Sequence, residues 1–246
     1  MPEKTYPKKI LFIGNSYTYV NKLWDVIAAL AEAEGHPVSV ASVTEGGKTL
    51  KYFNDPAGEK GKEARAAIAA GGFDTVVLQE QSLRPAISPS LFLAAASSLC
   101  KQIRAAGAEP AFYATWGRRE GAPALARYRL TNETMTKKLN AAYLKAGAEN
   151  GARVACVGLA FYEIHTGCPE IELYQDDGSH PSGAGTFLAA LTLYRVLFGE
   201  SPQNGAAAAA ESGVSPAAYE RLLAAAENAA AKDPLAEKNS EREEKR

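Results

Sequence analysis

Cysteine, histidine and net charge are scarce in this sequence, and each scarcity excludes a class of protein. Three cysteines and three histidines occur among 246 residues, and the formal net charge is −1. Cys100, Cys156 and Cys168 make no disulfide framework, and Cys168 with nearby His165 supplies too few ligands for a metal site. The small net charge gives no electrostatic reason for nucleic acid or an anionic membrane to be the main partner.

Long apolar runs are missing as well. No stretch approaches the roughly 20 apolar residues that cross a bilayer, and the N-terminus shows neither the apolar core nor the small-residue cleavage site of a secretory signal. As it stands, the sequence predicts a cytoplasmic protein, with a secreted form as the alternative if a leader has been removed. With 46% hydrophobic and 22% charged residues, the composition is typical of a globular protein with a substantial core.

Two kinds of apolar segment alternate along the chain. Short runs predict buried strands, and longer segments with apolar residues every three or four positions predict helices. This alternation predicts a parallel sheet covered by helices on both faces, in one α/β/α domain over residues 1–231. The charged residues 232–246 carry no periodicity, which predicts a disordered tail. The predicted strands are residues 10–13, 38–43, 73–78, 110–115 and 153–157.

Polar residues follow the predicted strands. Because the carboxyl ends of parallel strands lie at one edge of a sheet, the loops after them meet where ligands bind in open α/β folds. The first loop carries Ser16 at the turn between a strand and a helix, a position suited to attack on a carbonyl group. A serine there is also a common cap or turn residue. The other polar loops comprise residues 44–49, 79–82, 116–128 and 177–181.

Asp177 and His180 are three residues apart in a glycine-containing turn before a helix. This spacing lets the Asp177 carboxylate accept a hydrogen bond from one imidazole nitrogen while the other nitrogen faces outward. A serine hydroxyl is a poor nucleophile until a base takes its proton, and the base needs an anionic partner to hold its tautomer. An Asp-x-x-His pair at the start of a helix is also common as a cap and surface pair.

In combination, four short blocks resemble the SGNH (GDSL-type) hydrolase family. Ser16, Gly47, Gln81 and the Asp177–His180 pair occur in the order of that family's blocks, and the resemblance spans roughly residues 8–200. It implies an esterase or acyl hydrolase with a flavodoxin-like sheet of about five parallel strands and no cofactor. It further implies that Ser16 is the nucleophile, His180 the general base and acid, and Asp177 its orienting carboxylate. The backbone N–H groups of Ser16 and Gly47 and the side-chain amide of Gln81 would form the oxyanion hole.

Two blocks depart from the family pattern. Asn15 stands where the family has aspartate before the serine, and the third block reads Gln-Glu-Gln-Ser instead of Gly-x-Asn-Asp. The extra methylene of Gln81 shifts where its N–H₂ group points, and losing one oxyanion donor costs about 10²–10³ in rate in a comparable hole. Gly46 is a rival for the glycine position, and Asp176 is a rival for the carboxylate.

The same edge carries residues that could line a substrate pocket. Aromatic faces beside guanidinium donors would suit a sugar or another polyol ester, although core packing explains the tyrosines equally well. His165 could reach the substrate or act structurally, whereas His36 is predicted to lie on the surface at the opposite edge. The predicted pocket residues are Tyr17, Trp116, Arg118 and Tyr162.

The leading hypothesis is a serine esterase that cleaves small acyl esters, with acetyl groups on a carbohydrate as one example. The alternatives are a catalytically degenerate carbohydrate-binding module and a flavodoxin-like module that binds phosphate or flavin. The turn after the first strand has a single glycine, which lacks the glycine spacing of phosphate-binding loops. The expected partner is therefore a small-molecule or carbohydrate ester rather than nucleic acid or a membrane.

Overall fold

Five parallel strands form one sheet in the computed structural model, which describes residues 6–236. Their order is β2-β1-β3-β4-β5, the order of flavodoxin-like folds. Neighbouring strands end in register, since Ile13 pairs with both Val43 and Leu78. The loops after the strands consequently leave the sheet at one edge. The strands are β1 (Lys9–Gly14), β2 (Ser39–Thr44), β3 (Thr75–Leu78), β4 (Glu109–Tyr113) and β5 (Arg153–Ala155).

Helices cover both faces of the sheet. On one face α2, α9, α10 and α12 pack together, and on the other α4, α6 and α8 do so. The helices are α1 (Ser16–Tyr19), α2 (Leu23–Ala33), α3 (Leu50–Phe53), α4 (Glu59–Ala70), α5 (Arg84–Ile87), α6 (Pro89–Ala105), α7 (Pro123–Tyr128), α8 (Asn132–Asn150), α9 (Val157–Gly167), α10 (Gly183–Phe198), α11 (Ala206–Glu211) and α12 (Pro216–Ala230), with a 3₁₀ turn at Val20–Lys22.

The core lies between these layers, and the burial of the elements explains their composition. A parallel strand covered on both faces reads as a continuous apolar run, and the four residues 10–13 of β1 are each at most 1% exposed. α10 is apolar almost all round because it packs against α2, α9 and α12. The predicted α/β/α class is therefore confirmed.

Three local predictions differ from the structure. α7 lies within the long loop predicted over residues 116–128, and Pro123 occupies the first turn of this helix, where proline is well tolerated. β5 ends at Ala155 because α9 begins two residues later. Part of the predicted tail belongs to the fold, since the Asp233 side chain accepts a hydrogen bond from the Val154 backbone N–H at 3.0 Å. Residues 237–246 of that predicted tail lie outside the described residues.

Across residues 6–236, none of the helices combines the length and the apolar character that a membrane crossing requires.

Candidate active site

The turn after β1 places Ser16 at the carboxyl edge of the sheet. The strand ends at Gly14, where a side chain would collide with the Gln79 side chain that follows β3, since an added Cβ atom would lie 2.6 Å from Gln79 Oε1. Ser16 is the first residue of α1. The side chains of Thr18 and Gln79 thus pack directly against Gly14, and the serine follows two residues after it at the end of β1.

Asn15, which stands where the family has aspartate, ties three segments together. Its side-chain oxygen accepts a hydrogen bond from the Tyr17 backbone N–H at 3.2 Å, which caps α1. Its side-chain N–H₂ donates to the Lys48 carbonyl at 2.9 Å, and its backbone N–H donates to Gln79 Oε1 at 2.8 Å. An aspartate could not make the bond to Lys48 because a carboxylate has no N–H donor. The amide therefore links the Ser16 turn to the loop after β2.

The second turn of the site holds Asp177 and His180. Asp177 Oδ1 accepts hydrogen bonds from the backbone N–H groups of Ser179 and His180, both at 2.9 Å. Gly178 has a φ of +62°, in the left-handed region that favours glycine. These local bonds orient the carboxylate before it meets the imidazole ring.

The two turns meet although they are far apart in the sequence. Ser16 Oγ lies 2.9 Å from His180 Nε2 across 164 residues, and His180 Nδ1 lies 2.5 Å from Asp177 Oδ2. Burial raises the pKa of Asp177, but hydrogen bonds from the side chain and backbone of His180 and from the Ser179 backbone outweigh burial and leave the pKa below its ordinary value. The structure therefore forms a continuous chain from hydroxyl through imidazole to an ionised carboxylate.

Asn21 holds the two turns against each other. Its side-chain N–H₂ donates to the Pro181 carbonyl at 3.0 Å and to the Thr186 hydroxyl at 2.9 Å. Asn21 adopts a φ of 54°, a conformation that asparagine tolerates better than most residues. The segment after Ser16 is thereby fastened to the segment after His180.

Arg119 anchors the Asp177 turn from the other side. Its backbone N–H donates to the Gly178 carbonyl at 2.9 Å, and its guanidinium group lies 3.0 Å from Glu172 Oε2. A further guanidinium N–H donates to the backbone carbonyl of Asp176 at 3.1 Å. It is Asp177 rather than the rival Asp176 that contacts the imidazole ring.

Backbone N–H groups are available beside the serine. Within residues 6–236, the backbone N–H groups of Ser16 and Gly47 have no hydrogen-bond partner. Gly47 has open space where a Cβ would be, whereas a Cβ on the rival Gly46 would lie 2.9 Å from the Tyr19 hydroxyl. Tyr19 is 38% exposed and lies one helical turn after Ser16, a position that the sequence analysis did not single out.

The side chain of Gln81 is held by its oxygen. Gln81 Oε1 accepts hydrogen bonds from the backbone N–H groups of Leu83 and Arg84 at 2.9 and 3.1 Å. Because those partners are donors, the atom that faces them is the oxygen, and the N–H₂ group points away from them. Its described partner is Ser82 Oγ at 3.4 Å.

Glu80 is a buried carboxyl that connects two loops of the site. Its side chain is 1% exposed, and Oε1 accepts hydrogen bonds from the backbone N–H groups of Gln81 at 2.6 Å and Leu50 at 3.2 Å. Burial raises the pKa of Glu80 to about 7, while these two bonds and the charge of Arg84 oppose the rise. Only its position after a buried strand marked it in the sequence, because its Leu50 partner lies 30 residues away at the start of α3.

Trp116 and Tyr17 lie beneath the site, which corrects the prediction that they line a pocket. The Trp116 side chain is fully buried and is stacked between the rings of Tyr17 and Phe161. The centroid of its ring lies 4.6 Å from that of Tyr17 and 3.9 Å from that of Phe161. Its indole N–H donates to the Ser179 carbonyl at 3.1 Å, and the Tyr17 hydroxyl lies 2.7 Å from Ser179 Oγ. These rings present almost no surface to a ligand and instead support the turn that carries His180.

The remaining predicted pocket residues are Arg118 and Tyr162. Arg118 is half-buried and donates a hydrogen bond to Ser82 Oγ at 3.2 Å. Tyr162 lies on α9, and among residues 6–236 no hydrogen bond or ring contact joins it to Ser16, His180 or Trp116.

The other two histidines have partners of their own. His165 packs edge-to-face on Tyr174. The His36 side chain is 21% exposed, so it is partly buried rather than fully exposed on the surface. Its ring stacks on that of Tyr6 with the centroids 3.6 Å apart, and its Nε2 atom lies 2.8 Å from Glu200 Oε1. Within the described chain, no three residues of the metal-binding types cluster closely enough to hold an ion.

Comparison with solved structures relates this geometry to known proteins. A protein of Slackia heliotrinireducens described as a candidate SGNH hydrolase is 35% identical, with a TM-score of 0.69, over 76% of this chain and 97% of its own. A protein of Bacteroides uniformis from family DUF4886 is 22% identical, with a TM-score of 0.71, over 92% of this chain and 95% of its own. An acetyl xylan esterase is 13% identical, with a TM-score of 0.53, over 74% of this chain and 96% of its own.

These matches carry different weight. The second and third are too distant in sequence to show more than a shared fold. Neither a family model nor a curated protein matches the chain. The first match combines substantial identity with nearly full coverage of the related protein, and it names the family that the four sequence blocks resemble. This chain is a member of the SGNH hydrolase family.

Proposed function

We propose that the protein is a serine esterase that cleaves small acyl esters, acetyl esters first among them, through an acyl-enzyme on Ser16. The observation that supports this most strongly is the hydrogen-bonded chain from Ser16 Oγ through His180 to Asp177. A serine, an imidazole and a carboxylate in this order satisfy the requirements for activating a hydroxyl group.

Acylation begins when His180 Nε2 takes the proton of Ser16 Oγ. The oxygen attacks the carbonyl carbon of the ester, and the carbonyl π electrons move to its oxygen to give a tetrahedral oxyanion. Asp177 stabilises the imidazolium that forms, because its carboxylate lies on Nδ1. When the intermediate collapses, the bond to the alcohol oxygen breaks, and His180 gives that oxygen the proton.

Deacylation repeats the sequence with water. His180 Nε2 takes a proton from water, whose oxygen attacks the acyl carbon, and the bond to Ser16 Oγ breaks as the imidazolium returns the proton to the serine. The products are a carboxylic acid and the free enzyme. The imidazole thus serves as base and then as acid in each half of the reaction.

The oxyanion is proposed to accept hydrogen bonds from the backbone N–H groups of Ser16 and Gly47 and from the Gln81 amide. The two backbone groups are unpaired within residues 6–236, and the bonds on Gln81 Oε1 leave its N–H₂ facing elsewhere. Donors fixed in advance stabilise developing charge strongly because they need no reorganisation during the reaction.

A chromogenic acetyl ester tests this proposal directly. Wild-type protein should hydrolyse p-nitrophenyl acetate, and Ser16→Ala or His180→Ala should lower kcat by about 10³-fold or more. Ser90→Ala, at an exposed serine on α6, is the matched control and should keep the wild-type rate. A fluorophosphonate should label wild-type protein and the control but not Ser16→Ala.

Equal hydrolysis by wild type and both active-site variants would contradict the mechanism. A wild-type protein that neither hydrolyses the ester nor reacts with the fluorophosphonate would favour the degenerate binding module instead. A series of acyl chain lengths then determines whether acetyl is preferred over longer chains.

A further inference from the structure

Arg118 is a charged side chain at the site to which the ester chemistry assigns no role. Its guanidinium group donates to Ser82 Oγ at 3.2 Å, while its Nε atom is buried without a hydrogen-bond partner. The arginine ion pairs within residues 6–236 involve Arg104, Arg119 and Arg195. Arg118 therefore has an unneutralised charge and donors to spare.

The backbone that carries Arg118 is firmly held. The Asn132 side-chain N–H₂ donates to the carbonyls of Gly117 and Arg118 at 3.0 and 2.8 Å, and the Gly117 N–H donates to the Thr136 hydroxyl at 3.1 Å. A side chain on an anchored loop loses little further freedom on binding, which favours recognition of a ligand.

The position of the guanidinium group relates it to the proposed reaction. Ser82 Oγ receives hydrogen bonds from both Arg118 and the Gln81 side-chain N–H₂, so one hydroxyl separates the cation from the proposed oxyanion donor. Burial raises the pKa of the Tyr17 hydroxyl, and the Arg118 charge opposes that rise, which places the charge within electrostatic range of the residue after Ser16.

We infer that Arg118 recognises a carboxylate on the alcohol part of the substrate, so that the preferred substrates are acyl esters of hydroxy acids. This inference rests on the proposed esterase function. Guanidinium groups bind carboxylates through charge-assisted hydrogen bonds, often in pairs. A ligand carboxylate near Ser82 would neutralise the charge that the protein leaves uncompensated.

The charge at the site favours a monoanion over a phosphate dianion. The adjacent Arg119 is engaged by Glu172 and by the turn that carries Asp177. Arg118 thus supplies one positive charge that has no ion-pair partner among residues 6–236, which matches the single negative charge of a carboxylate. Attraction to this charge should weaken as salt is added.

Matched esters that differ only in charge test the inference. The probes are 3-acetoxybenzoate and 4-acetoxybenzoate, each compared with its neutral benzamide analogue, and the released phenol is measured. Wild-type protein should favour at least one carboxylate over its amide by about 10- to 100-fold in kcat/KM, and Arg118→Gln should bring this ratio close to one. Arg127→Gln, at an exposed arginine, is the control and should keep the wild-type ratio.

A binding measurement separates this inference from the proposed catalysis. In the Ser16→Ala background, calorimetry should show tighter binding of the carboxylate than of the amide, and adding Arg118→Gln should remove the difference. Equal kcat/KM and equal binding for each carboxylate–amide pair in the wild-type site would overturn the inference, as would a preference that survives Arg118→Gln. If Ser16→Ala keeps full activity, the esterase mechanism fails instead, while the binding comparison still decides the role of Arg118.

Discussion

Replacing Glu80 with glutamine should change how the stability of the protein depends on pH. Glu80 is 1% exposed, and one carboxyl oxygen accepts both backbone hydrogen bonds, from Leu50 and Gln81. A glutamine oxygen in the same place can accept both bonds. The substitution therefore removes the titration while keeping the contacts between the two loops.

The magnitude follows from the pKa of Glu80. Burial raises it from 4.5 in an ordinary glutamate to about 7 in the folded protein. At about 1.4 kcal/mol per pH unit, the ionised form costs the folded state about 3 kcal/mol. Because the folded pKa is the higher one, the protonated Glu80 carboxyl contributes stability that is fully present below pH 4.5. That stability is lost as the pH rises through about 7.

Urea denaturation at several pH values from 5 to 8, followed by circular dichroism, measures the effect. Glu80→Gln should resemble wild type near pH 5 and exceed it by about 2–3 kcal/mol in unfolding free energy at pH 8. Glu220→Gln, at an exposed position on α12, should leave the pH dependence unchanged. If wild type and Glu80→Gln lose stability in parallel from pH 5 to 8, the assignment of a protonated buried carboxyl is refuted.

Two further substitutions probe the site and its framework. Asp177→Asn should lower kcat by about 10³–10⁴-fold with little loss of stability, since an asparagine oxygen can still accept the turn's backbone hydrogen bonds. The control Asp176→Asn should have no effect on ester hydrolysis, and comparable losses of kcat in both variants would count against the geometry. Gly14→Ala should lower the unfolding free energy by about 1–3 kcal/mol in thermal denaturation, because its Cβ would lie 2.5 Å from Thr18 Oγ1. The Cβ of the control Gly167→Ala meets nothing within 4 Å, so this variant should be as stable as wild type. Equal stabilities of the two variants would argue against the close packing at Gly14.

Much of the fold could be predicted because its signals are local. The apolar run over residues 10–13, the glycine that ends it and the alternation of strands with helices follow from residues that are neighbours in sequence. The Asp177 turn is similarly local, since the carboxylate bonds to backbone groups two and three residues away. Such contacts cost little chain entropy, so short motifs encode them reliably.

The support of the site could not be predicted in the same way. Trp116 carries no local sign that both of its faces are covered, because Tyr17 and Phe161 belong to two distant segments, α1 before it and α9 after it. The hydrogen bonds of Asn21 likewise join segments about 160 residues apart. A side chain's role as wall or support depends on what packs against it, and a sequence pattern does not contain that information.

The sequence by itself determined the α/β/α class, the sheet edge where polar loops gather and the three residue types needed to activate a hydroxyl group. Only the tertiary structure decided that Asp177 rather than Asp176 contacts His180, that Glu80 is a buried carboxyl and that the Arg118 charge has no acidic partner among the described residues. The physical reason is that hydrogen bonding, desolvation and charge compensation depend on distances in space. Those distances are set by packing of the whole chain.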